Sequence, residues 1–461
     1  MNSRIRLFTA VLSIAVLTAC QQKDYTKVVH DPLLYSKTVK RLNDIVLENN
    51  FPPMIGARNY VYANIAAFEC IAAGDSNYIS LSGQIKHMPS MPLPVKGSTV
   101  DYPLASLLAF TRVGNAVTFP EGSMMGYYDE LVAKAKKAGM KSKMIDDTKE
   151  YAEAVSMAVL NWSKKDNYSE TRSASKYTVT DEEGRWVPTP PAYTSALEAH
   201  WMEIRTLVLD SAGMCRAPAP PKYNMKDTSG EFYRAVMEVK NAGSGLTDEE
   251  KHIADFWDDN PFKMNKIGHV MFGTKKFSPG GHWLNIVGIA AEKAGSDFGT
   301  TVYAYAKTSV ALFDGFICSW EEKFRSNVIR PETVINKLID QEWRPYIQTP
   351  PFPSYTSGHS VISAAAAEVM SDIYGDNFSY QDTSEIEFGI DHRSFNSFRD
   401  AAWEASLSRL YGGIHYTFDI VEGNIQGKKL GQLVVNRLRM RKERTDAQLA
   451  QKKEEQSTIE N

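Results

Sequence analysis

Two basic residues in the second half of the chain have the spacing of an oxyanion site. Lys323 and Arg330 lie seven residues apart, and Pro331 directly follows the arginine. On an α-helix seven residues make two turns, so both side chains leave the same face from stems about 10 Å apart. Long side chains, or a helix that ends between them, allow both cations to reach one anion.

Ser357, Gly358 and His359 begin the clearest helical pattern of the chain, which continues to Met370. Serine is a favourable helix N-cap, and glycine allows a ligand to approach the backbone closely. The free amides and the positive end of the helix dipole attract an anion at such a point. We therefore expect one structure that is both a helix cap and an anion cradle.

Arg409 and His415 complete the set of residues suited to chemistry. Asp419 follows His415 by four residues, so on a helix the two share a face and the carboxylate accepts one ring proton. The other ring nitrogen is then free to bond to a metal or a phosphorus centre. The same face continues as a stripe of glycines that allows close packing of a neighbouring helix: Gly423, Gly427 and Gly431.

Each of these signals is weak alone, because a single Arg or Lys is usually a solvated surface charge. In chain order they form the pattern Lys-x6-Arg-Pro, Ser-Gly-His and Ser-Arg-x5-His-x3-Asp. This pattern resembles the superfamily of type 2 phosphatidic acid phosphatases, bacterial non-specific acid phosphatases and vanadium-dependent haloperoxidases. The resemblance covers residues 320–419. Two further segments resemble the haloperoxidase branch: Phe256-Trp257 and Gly281-His282-Trp283.

The resemblance implies a vanadate cofactor, with phosphate able to occupy the same site. His415 would be the axial nitrogen ligand of the metal and His359 the acid/base. Lys323 would also polarise peroxide, and Asp419 would orient His415, so these four residues form the implied catalytic set. An oxyanion needs several cationic and amide donors. Those implied to bind its oxygens are Lys323, Arg330, Ser357, Gly358 and Arg409, with His359 beside them.

The implied activity is oxidation of halide by hydrogen peroxide to hypohalous acid, with iodide as the first expectation and bromide as the second. Trp320 and Phe352 stand where haloperoxidases place the aromatics of the halide pocket. An apolar wall suits a poorly hydrated anion such as iodide. One departure is that Thr356, where the family often has proline, precedes Ser357. The variant is similar to that of haloperoxidase-like proteins of marine bacteria, including iodide-oxidising ones.

Two other functions remain open. An acid phosphatase would use the same side chains, with His415 attacking phosphorus and His359 protonating the leaving oxygen. The length of 461 residues and the two aromatics favour the peroxidase. A lipoprotein that only binds an oxyanion or a glycan is the third possibility, and the complete set of donors argues against it.

Apolar residues at helical spacing predict the elements that position these side chains. Helical patterns recur from Ser36 onward and strand-like alternation is scarce, so we expect an all-α fold of multi-helix bundles, as in vanadium haloperoxidases and acid phosphatases. The domains expected are an N-terminal helical region over residues 35–220 and a C-terminal helical domain over 221–441 that contains the oxyanion site. Residues 442–461 are predicted to be a charged tail.

Overall charge and the remaining polar residues exclude other functions. A net charge of −3 gives no basic footprint for nucleic acid. Asp258 or Asp259, beside Trp257, is expected to balance the charge of Arg409. Three histidines show no metal-ligand spacing with one another and are expected to be structural or exposed, although the last is also placed near the pocket mouth: His252, His269 and His282.

The first twenty residues have the pattern of a secretory signal. Arg4 and Arg6 precede an apolar run that is too short to span a bilayer. The ending Leu17-Thr18-Ala19-Cys20 resembles a bacterial lipobox, which implies cleavage before Cys20 and a lipid on its sulfur. Residues 21–34 would be a tether, and Gln21 favours the outer membrane, at its periplasmic or surface face. The choice of halide, the organic acceptor and the oligomeric state are left open.

Overall fold

The computed structural model describes residues 24–260, 263–267, 270–274 and 276–442. Over these ranges the chain forms fifteen α-helices, three short 3-10 helices and two β-hairpins, so the all-α prediction is confirmed. The helices of the first half are α1 Thr26–Val29, α2 Pro32–Glu48, α3 Pro53–Gly74, α4 Tyr102–Val117, α5 Met125–Lys137, α6 Ser142–Ser163 and α7 Tyr168–Arg172.

The second half contains the hairpins and the longest helix. Strands β1 (Lys263–Ile267) and β2 (Val270–Thr274) pair antiparallel, as do β3 (Tyr380–Asp382) and β4 (Arg393–Phe395). The 3-10 helices are Trp201–Glu203, Ala212–Cys215 and Ile386–Phe388. The remaining α-helices are α8 Glu231–Ala242, α9 Asp248–Phe256, α10 Pro279–Lys293, α11 Phe298–Ser326, α12 Pro331–Leu338, α13 Gly358–Tyr374, α14 Phe398–Tyr411 and α15 Thr417–Arg437.

Helix α11 lies at the centre of the molecule. Nearly all of its side chains are buried, as expected for a helix that is surrounded by others. It contacts α3 from the first half and α13 from the second. The larger of two hydrophobic clusters accordingly contains residues from Val29 to Met440, and the smaller one includes Phe232, Val236 and Tyr416. The domain boundary placed after residue 220 stays a prediction.

Helices α13 and α15 pack closely along the glycine stripe. A Cβ atom added to Gly427 would lie 2.1 Å from the carbonyl oxygen of Val361, and one on Gly431 would lie 2.7 Å from that of Ala365. Such distances leave no room for a side chain. The close packing predicted for this face is therefore present, and it fixes the helix that follows His415 against the helix that follows Ser357.

The described part of the predicted tether is folded. Residues 24–34 include α1 and the start of α2, and Val29 is 1% exposed. The cause is local, because the Asp31 side chain accepts a hydrogen bond from the Leu33 amide and Pro32 begins α2, a strong helix start. The prediction of a tether is wrong for these residues.

Several predictions lie outside the described residues. They are the signal sequence with Cys20, residues 21–23 of the tether, His269, and the tail beyond Lys442. None of the helices in the described ranges combines the length and the hydropathy needed to cross a bilayer.

Candidate active site

The chain turns between the first two cations of the motif. Helix α11 ends at Ser326, Asn327 adopts the left-handed conformation with φ 50°, and Arg330 is the N-cap of α12. This is the second of the two geometries expected, a helix that ends between Lys323 and Arg330. Both side chains are fully buried in consequence.

Lys323 holds the loop that leads into α13. Its Nζ donates to the carbonyl oxygens of Pro353, Ser354 and Thr356 at 3.1, 3.0 and 2.5 Å. Burial and the nearby Arg330 cation lower the pKa of Lys323 well below its usual value. The ammonium group thus lies directly beneath the loop, 5.1 Å from the centre of the Phe352 ring.

Arg330 presents one unpaired donor next to His415. Its Nε donates to the Phe352 carbonyl at 2.8 Å, and its Nη1 donates to the Ile414 carbonyl at 2.9 Å and to His415 Nε2 at 3.0 Å. Its Nη2 is buried without a hydrogen-bond partner in the described structure. Burial lowers the pKa of Arg330 to about 9. A buried unpaired guanidinium donor is costly, so this atom marks a place where an anion would be stabilised.

The N-terminus of α13 faces the same point. Ser357 is its N-cap, its Oγ accepts a hydrogen bond from the Ser360 amide, and its own amide donates to the Asp419 carbonyl at 3.0 Å. The first amides of the helix have no intrahelical partner. A Cβ atom on Gly358 would lie 3.8 Å from Lys323 Cε, so the start of α13 lies next to the lysine. The expected cap and cradle coincide.

His415 is oriented by a buried carboxylate. Its Nδ1 donates to Asp419 Oδ2 at 2.8 Å, and the same oxygen accepts hydrogen bonds from Ser354 Oγ at 2.5 Å and the Tyr416 amide at 3.2 Å. Burial and the charge of Arg330 lower the pKa of His415 well below its usual value. The imidazole is therefore neutral. Because Asp419 accepts the proton on Nδ1, the free lone pair of the ring is on Nε2, which faces Arg330.

Arg409 and His359 line the same cavity as His415. Arg409 Nε donates to Ser408 Oγ at 2.9 Å and its Nη2 donates to the Trp257 carbonyl. Burial lowers the pKa of Arg409 to about 10, and the charges of Asp258 and Asp259 oppose this shift. The charges of both carboxylates therefore act on Arg409 in the direction of the predicted balance.

His359 has an unusually low basicity. Burial and the Arg409 cation lower its pKa to about 4, although its Nε2 lies 3.7 Å from Asp259 Oδ2. This separation is too long for a hydrogen bond, and Nε2 is buried without a partner in the described structure. The ring is neutral at neutral pH and is able to accept a proton.

These residues enclose a cavity of about 70 Å³. The rings of Trp320 and Phe352, whose centroids are 4.9 Å apart, form an apolar wall. Gly358, His359, Arg409 and His415 also line the cavity, while Lys323, Arg330 and Ser357 lie behind that lining. The structure brings all the predicted site residues of the described chain together in one place.

Sequence analysis missed two features of this region. Ser354, the partner of Asp419, had no motif to mark it. His282, expected to be structural or exposed, is fully buried, stacks on Trp257 with ring centroids 4.6 Å apart, and bonds to two carboxylates, Asp259 and Asp382, at 2.9 Å each. The three bonded residues are far apart in the chain, so no local spacing could have revealed the cluster. His252, by contrast, lies near the surface and contacts the Asp391 carbonyl at 3.2 Å.

The chain belongs to the vanadium-dependent haloperoxidase family. It is 43% identical to a protein whose solved structure is described as that of the first bacterial vanadium-dependent iodoperoxidase, with a TM-score of 0.84 over 90% of this chain and 98% of that chain. The family model for the VCPO second helical-bundle domain matches residues 336–443, which include the segment from Ser357 to Asp419.

More distant structures share the fold. Holo and apo structures of a bacterial vanadium-dependent chloroperoxidase each have 16% identity and a TM-score of 0.63 over 84% of this chain. They cover 92% and 94% of the chloroperoxidase chain respectively. A search of curated protein sequences finds no match.

Proposed function

We propose that this protein is a vanadate-dependent peroxidase that oxidises halide with hydrogen peroxide to hypohalous acid, with iodide as its preferred halide and bromide second. The observation that carries the proposal is the pairing of a neutral His415 with an unpaired Arg330 donor at one buried point. A metal oxyanion needs a ligand for its metal and a positive charge beside its oxygens. The lone pair of His415 supplies the first, and the guanidinium of Arg330 supplies the second. Membership of the haloperoxidase family supports this proposal.

The residues present fit vanadate. Arg330 Nη2 and the first amides of α13 offer donors, and Arg409 adds a second guanidinium on the cavity wall. Gly358 leaves the space that a Cβ atom would fill. We assign the oxyanion contacts to Lys323, Arg330, Ser357, Gly358, His359 and Arg409, and the bond to the metal to His415. Bound vanadate supplies a Lewis-acid centre that activates peroxide.

The protein residues around that centre hold and move protons. Asp419 keeps the His415 proton on Nδ1, so Nε2 remains a ligand. His359 accepts a proton when peroxide enters, because its neutral ring lines the cavity, and returns it when hypohalous acid leaves. Lys323 is bonded to three carbonyls and contributes positive potential from below the loop.

Trp320 and Phe352 form the halide side of the pocket in this proposal. Their rings provide an apolar surface next to buried cations, since Arg330 Cζ lies 5.0 Å from the Phe352 ring centre. Such a wall excludes water and favours a large, weakly hydrated anion. The 43% identity to a bacterial iodoperoxidase supports iodide as the first choice.

A phosphatase remains the second candidate, because the same geometry suits it. The neutral Nε2 of His415 would attack phosphorus, with Asp419 stabilising the charged ring, and His359 would protonate the leaving oxygen. The two activities therefore depend on the same residues and differ in whether His415 bonds to vanadium or to phosphorus.

One parallel assay separates the two functions. The purified protein is loaded with vanadate, and peroxide-dependent triiodide formation is measured beside hydrolysis of a chromogenic phosphate ester by the vanadate-free protein. We expect triiodide formation and little hydrolysis. The His415→Ala variant should lose at least about 100-fold in rate, while His392→Ala, which replaces an exposed histidine paired with Asp391, should match the wild type. Hydrolysis without halide oxidation would establish the phosphatase instead.

We also propose that the mature protein is a lipoprotein anchored through Cys20 in the outer membrane. The support is the lipobox-like sequence that precedes this cysteine. Because α1 begins at Thr26, only a few residues would separate the lipid from the folded body. The active site would then act close to the membrane surface.

A further inference from the structure

A second cluster of buried ionisable side chains lies next to the pocket, on the far side of Asp259. We propose that Asp259, His282 and Glu385 form a binding site for one divalent transition-metal cation, with Zn²⁺ as the best fit. Each residue offers one ligand atom, and the three atoms all lie within 4.8 Å of one another. This site shares Asp259 with the wall of the active-site cavity, but it does not rest on the proposed peroxidase activity.

The spacing of the three ligand atoms matches a metal centre. His282 Nδ1 lies 2.9 Å from Asp259 Oδ1 and 3.8 Å from Glu385 Oε1. Tetrahedral ligands at zinc distances of about 2.0–2.2 Å are separated from each other by about 3.4 Å. The two distances lie on either side of that value, so a small adjustment of the side chains suffices.

His282 is oriented as a metal ligand is. Its Nε2 bonds to Asp382 Oδ2 at 2.9 Å, and Asp382 Oδ1 in turn accepts a hydrogen bond from the Ser384 amide at 2.9 Å. Histidine ligands usually bond through the second nitrogen to a carboxylate in this way. Stacking on Trp257 fixes the ring plane. Nδ1 therefore faces the carboxylates of both Asp259 and Glu385.

An independent observation points to a ligand at this position. Glu385 is fully buried, and neither of its carboxylate oxygens has a hydrogen-bond partner in the described structure. The second oxygen of Asp259 is also buried without such a partner. Buried unpaired carboxylate oxygens are rare and costly, and a cation is one of the few groups that satisfies several of them at once.

The charges agree with a dication. Three carboxylates, Asp259, Asp382 and Glu385, surround one imidazole. A divalent cation would compensate the negative charge that these buried carboxylates place next to one another.

The donor set selects the type of cation. One imidazole nitrogen with two carboxylate oxygens suits Zn²⁺, with Mn²⁺ second, whereas Ca²⁺ and Mg²⁺ prefer oxygen ligands throughout. Asp259 also lines the active-site cavity, which gives a route of entry. A bound cation would tie the segment that carries Glu385 to the wall of the pocket beside His359.

Zinc binding to the full chain tests the site without halide or peroxide. The protein is treated with a chelator, dialysed and titrated with Zn²⁺, and bound metal is counted by elemental analysis. We expect one Zn²⁺ per chain and a rise in the thermal midpoint. Glu385→Gln should weaken binding by at least about 100-fold and Asp382→Asn by about 10–100-fold. Glu387→Gln, an exposed neighbour on the same segment, should bind as the wild type does.

Two outcomes would overturn the inference. One is a wild-type chain that takes up no stoichiometric Zn²⁺ or Mn²⁺, and the other is a folded Glu385→Gln variant that binds as tightly as the wild type. If Glu385→Gln does not fold, Asp382→Asn decides in the same way. His415→Ala should keep its zinc, because loss of the metal in that variant would place the cation in the vanadate pocket instead. Failure of the halide assay leaves the cation site untouched.

Discussion

At the scale of single residues, the pocket is governed by cations that are buried together. Lys323, Arg330 and Arg409 are all almost completely buried, and burial lowers the pKa of each. Their combined field also keeps His415 neutral. A bound oxyanion relieves this repulsion, so anion binding and the protonation of the two histidines are linked.

His359 should take up a proton when an anion binds. Without an anion its pKa is about 4. A negative charge next to the ring raises that pKa, so the complex holds more protons than the free protein, and affinity increases as pH falls below the bound-state pKa. Calorimetric titration with vanadate in buffers of different ionisation enthalpy measures this uptake. Vanadate itself ionises in the same way whichever protein it binds, so His359→Gln serves as the control. Equal proton uptake by this variant and the wild type would contradict the role of His359.

Ser354 should be a positioning residue for Asp419 and His415. Ser354→Ala removes the 2.5 Å hydrogen bond to Asp419 Oδ2, so the pKa of Asp419, which burial already raises to about 6, should rise further. We expect vanadate to bind about 10-fold more weakly and the acidic limb of the pH–rate profile to move to higher pH. Ser309→Ala, a buried serine bonded to the Ala306 carbonyl, is the matched control. An unchanged profile in Ser354→Ala would remove Ser354 from the mechanism.

At the scale of elements, the site depends on three helix ends. The C-terminus of α11, the N-terminus of α13 and the loop before α15 meet, and the glycine stripe of α15 holds that helix on α13. Capping, the glycine stripe and the pairing of His415 with Asp419 are local patterns, so the sequence predicts them. Local spacing does not decide between a continuous helix and a turn at Asn327, because packing determines where α11 ends.

Gly427→Ala should separate α13 from α15. The new Cβ would lie 2.1 Å from a backbone carbonyl oxygen, which cannot move without shifting α13. We expect a loss of about 1–3 kcal/mol in the free energy of unfolding, measured by chemical denaturation, together with weaker vanadate binding. In Gly126→Ala, on α5, the new Cβ meets no atom within 4 Å, so stability should be unchanged or slightly higher. Equal stability of both variants would show that the helices do not pack through the stripe.

At the scale of the whole molecule, one core joins both halves of the chain. The all-α class and the helices that carry the motif followed from periodicity and caps. The His282 cluster did not, because Asp259, His282 and Asp382 are brought together only by the packing of separate segments. The spacing of residues along the chain does not reveal long-range contacts of this kind. The sequence therefore predicts the motif residues but not supporting residues such as Asp382 and Ser354.

The lipid anchor makes a prediction about the location of the whole molecule. Cys20→Ser should abolish incorporation of labelled fatty acid and move the protein from the membrane fraction to the soluble fraction. Cys70→Ser, a buried cysteine elsewhere in the chain, should leave both unchanged. Membrane association that survives Cys20→Ser would exclude the lipobox interpretation.

The central claim is that five side chains, Lys323, Arg330, His359, Arg409 and His415, surround one oxyanion whose metal is bonded to His415. A crystal structure of the protein grown with vanadate tests this arrangement. We expect vanadium within bonding distance of His415 Nε2, with Arg330 Nη2 donating to one of its oxygens. Vanadium bound elsewhere, or bound here without contact to His415, would contradict it.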